Sequence, residues 1–271
     1  MSETRDSEAQ KGERTIEVEG GHLFLQVAGD GPGVVLIHPG LWDSRTWDDQ
    51  WEPFAARHRV ARYDVRGYGR SSRPAGEPYS HVRDLAAVMN AAGLERAALV
   101  GCSMGGAIVL KLAVDCQQEL RGIIGLESSA FAPGRYNDFL HHPAIHGGEL
   151  AASYTYGLCA PQSPESSARE NWWYYSQAGP GVYAGDVHFY SIDWDGREEI
   201  KTIDTSVCKV SLLTGEYDYS CTPDMTRQVA AAIPGARLVI MKGIGHFPMI
   251  ENYPLFRGYL LPELDVMRER R

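Results

Sequence analysis

The chain has 271 residues, 44% of them hydrophobic and 23% charged, with a formal net charge of −9. That balance excludes wholesale disorder and a collagen-like repeat, and it supplies enough apolar side chains for a sizeable core. Acids number 35 against 26 Lys and Arg, with no basic block to offset them, so no general affinity for nucleic acid or an anionic membrane is expected.

Residues 1–14 are polar and charged, lack the apolar stretch of a secretory leader, and read as a disordered tail. Five cysteines stand singly with no C-x-x-C pair, which predicts neither a disulfide framework nor structural zinc. A reducing cytoplasm is the expected setting. Residues 15–19 and 22–27 flank Gly20-Gly21 and predict a hairpin. The continuous apolar run 34–37 predicts a buried parallel strand ending at His38-Pro39-Gly40. Another strand, 59–64, leads into Gly67-Tyr68-Gly69-Arg70-Ser71. Helical spacing over 82–92 stops before Gly93. A strand at 97–100, a helix at 105–116 and a strand at 122–126 follow.

The stretch 97–114 nears the length of a membrane span, about 20 apolar residues. Its central Gly101, Gly105 and Gly106, with Lys111 near the end, instead predict strand, sharp turn and buried helix. From 128 to 207 the alternation stops. It resumes as strand 210–213, helix 224–233, strand 237–241 and helix 254–267. Strands alternating with helices predict an α/β fold, a doubly wound and mostly parallel sheet. Its core is expected at 15–127 and 208–271. The intervening 80 residues are too many for a structureless loop and predict an inserted, helical cap.

Gly101-Cys102-Ser103-Met104-Gly105 fits G-x-S-x-G between a strand and a helix, the setting that motif requires. The turn lifts the Ser103 hydroxyl off the sheet edge, and glycines are needed where side chains would collide with backbone. A serine hydroxyl needs a base, and the base an orienting acid. The strand 210–213 runs into Thr214-Gly215-Glu216-Tyr217-Asp218, and Gly245-His246-Phe247 follows the last strand. The chain order Ser, Asp, His suits this architecture. Cys102 is expected to point away from Ser103 as a small buried filler.

On these blocks, from residue 15 to 267, the sequence resembles the α/β-hydrolase fold family, in particular its serine esterases and lactonases. The resemblance implies Ser103 as nucleophile, His246 as general base and acid, and Asp218 as orienting carboxylate. It implies an oxyanion hole made by the backbone N–H groups of Met104 and Gly40. Pro39 stands where the family usually has glycine; the donor comes from the next residue, and Leu41 is the fallback. His38 is expected to brace that loop by hydrogen bonds. Glu127 is the alternative acid, since some members of this fold, the lactone-cleaving zearalenone hydrolases among them, draw theirs from that region; otherwise it faces the cap or bonds a loop.

Thirteen of the 27 aromatic residues fall in 128–208, densest at Trp172-Trp173-Tyr174-Tyr175. Some of these rings are expected to line a pocket with Leu41, Trp172, Trp173, Tyr190 and Phe247. The same segment holds ten acids and four Lys or Arg, so a strongly anionic substrate is disfavoured. His141, His142 and His146 have no carboxylate or cysteine pattern to complete a metal site, and no metal or organic cofactor is expected. The reading that follows is a serine hydrolase of neutral, hydrophobic or aromatic small-molecule esters or lactones. Two others stay open: a carbon–carbon bond hydrolase of ring-cleavage products, and a ligand sensor on the same fold with slow hydrolysis. The oligomeric state is not legible.

Overall fold

The computed structural model describes residues 11–40, 42–73, 79–130, 157–177 and 194–268, without the side chains of 172 and 174–177. Eight strands form one sheet: β1 (Gly12–Val18), β2 (Gly21–Ala28), β3 (Gly33–Ile37), β4 (Arg59–Tyr63), β5 (Ala97–Cys102), β6 (Leu120–Leu126), β7 (Lys209–Gly215) and β8 (Arg237–Met241). Their spatial order is β1-β2-β4-β3-β5-β6-β7-β8. The pairs β1–β2 and β2–β4 are antiparallel and the other five parallel. This is the predicted doubly wound α/β sheet.

The helices are α1 (Asp48–Ala55), α2 (His81–Ala91), α3 (Met104–Cys116), α4 (Glu165–Gln177), α5 (Pro223–Ala232), the short α6 (Pro248–Glu251) and α7 (Tyr253–Arg268). Their ends follow local chemistry. Ser80 caps α2 by accepting from the Arg83 N–H, and Thr222 caps α5 through the Met225 N–H, with Pro223 at its first turn. Sequence reading passed over α1, which has only eight residues and carries Pro53 inside it.

Because both faces of the central strands are covered, these strands are buried along their whole length. Along β3, Val35 and Ile37 enter the apolar layer that includes Leu85, Ile108 and Val229 of α2, α3 and α5. The alternate Val34 and Leu36 enter the layer of Phe54, Phe256 and Leu264 from α1 and α7. Each such fully buried side chain contributes about 1.5–3 kcal/mol.

The hairpin is displaced by one residue from its expected place. Val18 pairs with Gly21, so the turn is Glu19-Gly20, with Gly20 at φ 74°. Gly21 is a strand residue, and a Cβ there would collide with the Ser72 side chain. The first strand also starts at Gly12, inside what the sequence suggested was tail. Glu13 pairs with Gln26, and the Arg14 guanidinium donates to the Ala91 carbonyl at 2.6 Å.

Within 128–207, the described part contains α4 and a 3₁₀ turn at Glu199–Thr202. Helix α4 lies against the core: Ser167 Oγ donates to the Ile250 carbonyl at 2.8 Å, and Trp42 Nε1 donates to Asn171 Oδ1 at 3.0 Å. The entry and exit of the segment also meet, since the Gly196 N–H donates to the Ala130 carbonyl at 2.8 Å.

Candidate active site

Ser103 stands between β5 and α3 with φ 54° and ψ −113°. This backbone conformation costs a non-glycine residue on the order of 1–3 kcal/mol. Among the described residues, the only other non-glycine with positive φ is Glu127, at 49°. The glycines around Ser103 are sterically required. A Cβ on Gly101 would run into the Gly105 carbonyl, and one on Gly105 would sit 2.6 Å from the Ile37 oxygen. Gly106, which the motif does not demand, faces Ser128 too closely for any side chain. The Ser103 N–H is tied to the Leu126 carbonyl at 2.8 Å, fixing the turn to β6. Met104 opens α3, so its N–H belongs to the helix's first turn, where amides lack intrahelical acceptors.

The loop after β3 is braced by His38. Its Nδ1 lies 2.7 Å from the Pro39 carbonyl, and its Nε2 lies 2.8 Å from the Val65 N–H. An N–H can only donate, so Nε2 accepts and Nδ1 carries the proton. Burial lowers the His38 pKa and keeps the ring neutral. Trans peptides point N–H and C=O in opposite directions, and the chain has no cis bonds among the described residues. Holding the Pro39 carbonyl toward His38 therefore turns the Gly40 N–H away from that ring.

Asp218 and His246 meet from the loops after β7 and β8. His246 Nδ1 lies 2.8 Å from Asp218 Oδ2, and both residues are buried. Asp218 Oδ1 accepts the N–H groups of Ser220 at 2.8 Å and Cys221 at 3.0 Å. With Nδ1 donating to the acid, Nε2 is left as the acceptor. The buried Cys102 Sγ lies 3.8 Å from the His246 carbonyl, which sets the histidine loop beside the residue preceding Ser103. Glu216 points elsewhere, to an exposed pairing with Lys242.

Sequence reading missed Glu251. Its buried carboxylate accepts the N–H groups on either side of His246, from Gly245 and Phe247, both at 2.8 Å. It also accepts from the Ala160 N–H at 2.8 Å and the Ser163 hydroxyl at 2.7 Å. One side chain thus fastens the histidine loop to the segment 157–163. The only signal available was an acid four residues after Phe247, and its reach back onto the loop depends on the short helix α6. Glu251→Gln places an NH₂ against N–H donors and leaves at least one buried amide unsatisfied. Chemical denaturation is expected to show a loss of about 2–4 kcal/mol, with kcat falling as the loop loosens. An unchanged midpoint would contradict this.

Of the expected pocket residues, Phe247 is buried, with its ring edge-on to His246 at 4.9 Å and 6.2 Å from Trp42. Trp173 is 55% exposed. Leu41, Tyr190 and the Trp172 side chain lie outside the described residues, as do His141, His142 and His146. A surface cleft of about 750 Å³, lined by Arg59, Leu94, Arg96 and Arg121 among others, opens at the amino ends of the strands, away from Ser103. Among the described residues, Glu127, Asp218 and His246 form a group of ligand-type side chains with one oxygen or nitrogen each mutually within 4.8 Å. Their atoms already bond to one another's loops: Glu127 accepts the Gly215 N–H at 2.8 Å, and Asp218 faces the histidine.

A mostly parallel sheet with a strained serine after β5 and a histidine–aspartate pair after β8 and β7 defines a class, the α/β hydrolases. The signature of the Alpha/beta hydrolase family matches residues 34–256, and the chain belongs to that family. It is 34% identical over 123 residues to the 2-hydroxy-6-oxo-6-phenylhexa-2,4-dienoate hydrolase of Comamonas testosteroni, a match covering 41% of this chain and 43% of that protein. The chain thus spans under half of that relative's length. Among solved structures, an esterase from Thermogutta terrifontis superposes with a TM-score of 0.84 at 22% identity, covering 94% of this chain and 99% of that one. Est816, described as degrading N-acyl homoserine lactones, superposes at 0.82 with 25% identity, covering 92% and 99%.

Proposed function

We propose that this hydrolase cleaves neutral, hydrophobic or aromatic carboxylic esters or lactones through an acyl-enzyme on Ser103. The observation that carries the reading is the buried 2.8 Å pairing of His246 Nδ1 with Asp218, on loops beside the strained serine turn. Ser103 Oγ attacks the carbonyl carbon as His246 Nε2 takes its proton. The backbone N–H groups of Gly40 and Met104 receive the negative oxygen. The imidazolium returns the proton to the departing alkoxide, and His246 then deprotonates a water that releases the acid. Asp218 holds the ring in the Nδ1–H tautomer throughout.

The substrate side of the reading rests on the segment 128–207, with its aromatic density and acidic excess. Dispersion and ring contacts favour an apolar acyl or leaving group, and the local negative charge opposes an anionic one. A carbon–carbon bond hydrolase is the second reading, favoured by the name of the Comamonas relative. Esters of equal size, neutral and carboxylate-bearing, separate the two. The neutral ester is expected to give at least about tenfold higher kcat/KM, a difference of 1.4 kcal/mol. A preference for the anionic ester, together with turnover of a vinylogous diketone acid, would favour the second reading.

A further inference from the structure

Two carboxyl groups meet behind the His246 ring where a triad uses one. Asp218 receives two backbone N–H groups on Oδ1 and faces His246 Nδ1 with Oδ2. Glu127 is fully buried. It accepts the Gly215 N–H at 2.8 Å and the Thr214 hydroxyl at 3.1 Å. A side-chain oxygen of each acid and a ring nitrogen of His246 all lie within 4.8 Å of one another. The backbone reaches this arrangement through positive φ at Glu127, a distortion it shares only with Ser103 among the described non-glycines.

The groups facing the pair are His246 from the loop after β8, Glu251 from α6, Cys102 at the end of β5 and Cys221 from the loop after β7. Apart from the histidine these are acids or thiols. Two carboxylates this close in a buried site do not both ionise.

Resting on the triad reading of Ser103, Asp218 and His246, we propose that the two acids carry one proton between them, held on Glu127. Glu127 is then a neutral positioning partner of Asp218, and a reserve that takes up the charge when Asp218 is removed. The donors decide which acid is charged. Asp218 has three N–H groups directed at it, and Glu127 has one N–H and one hydroxyl. Burial first, and then the charge of Asp218, push the Glu127 carboxyl well above the usual carboxylate range.

The test compares the native chain, Glu127→Gln, Asp218→Ala and the double variant on one neutral nitrophenyl ester. Glutamine keeps a neutral donor beside Asp218, so Glu127→Gln alone is expected to lower kcat/KM only about threefold. In the Asp218→Ala background the same change is expected to cost a further tenfold or more, because only a carboxyl can ionise toward the vacated ring nitrogen. The acid limbs of the pH profiles of Asp218→Ala and the double variant should lie at different pH, because only the first keeps an ionisable carboxyl beside the ring. The infrared spectrum of the native protein should contain a protonated-carboxyl band that is missing from Glu127→Gln, a readout independent of turnover.

A loss of about a thousandfold from Glu127→Gln alone would make Glu127 the charged acid and overturn the proposal. An equal cost in both backgrounds would reduce Glu127 to packing, and the absence of the infrared difference would deny it the proton. Failure of the triad reading looks different: Ser103→Ala would keep turning over, while the infrared comparison would still report on the carboxyl pair.

Discussion

Ser103→Ala is expected to lower kcat by about a million-fold while the fold persists. In the proposed chemistry the hydroxyl supplies the attacking oxygen. Alanine carries the same Cβ at φ 54° as serine, so the backbone strain is unchanged and the melting temperature should stay close to the native value. A fluorophosphonate should add to the native chain at Ser103, seen as one mass increment in the tryptic peptide, and fail to add to the variant. Turnover within tenfold of native, or labelling at another serine, would end the proposed chemistry.

Asp218→Asn is expected to cost about a thousand- to ten-thousand-fold in kcat. The geometry explains why so small a change does so much. The asparagine oxygen can keep the N–H groups of Ser220 and Cys221, so the loop holds its shape. The amide NH₂ then faces His246 Nδ1, which must become an acceptor. The proton moves to Nε2, where the ring can no longer take one from serine. KM should change little, since neither atom of the pair is expected to contact the substrate. Steady-state kinetics on the neutral ester checks this, and a variant within tenfold of native would remove Asp218 from the role.

The parts of the site legible in the sequence are those where one local rule has one outcome. The serine turn could be read because glycine alone fits beside the Gly105 and Ile37 backbone oxygens. The helices expected at 82–92 and 224–233 match α2 and α5 to within one residue at each end, because apolar spacing is a local signal. The displaced hairpin turn could not be read, because Gly20 and Gly21 are both plausible turn residues and their choice depends on Ser72, fifty residues away. Glu251 was illegible for a related reason, and of Glu127 the sequence offered a loop hydrogen bond without its partner. Each acts through backbone amides brought up by other strands, at Gly245 and Phe247 in one case and at Gly215 in the other. Spacing along the chain shows that an acid is near the site; it does not show which donors surround it or whether it keeps its proton.

The hydrogen bond from the Gly196 N–H to the Ala130 carbonyl joins the two sides of the segment that follows β6. Between them, residues 157–163 and α4 are fastened back to the sheet side of the molecule, through Glu251, Ile250 and Trp42. A change at Ala160 or Ser163 therefore reaches the amides on either side of His246, through the one carboxylate they share. An exchange of residues 157–163 is thus felt at the histidine loop itself, and the two are bound to change together.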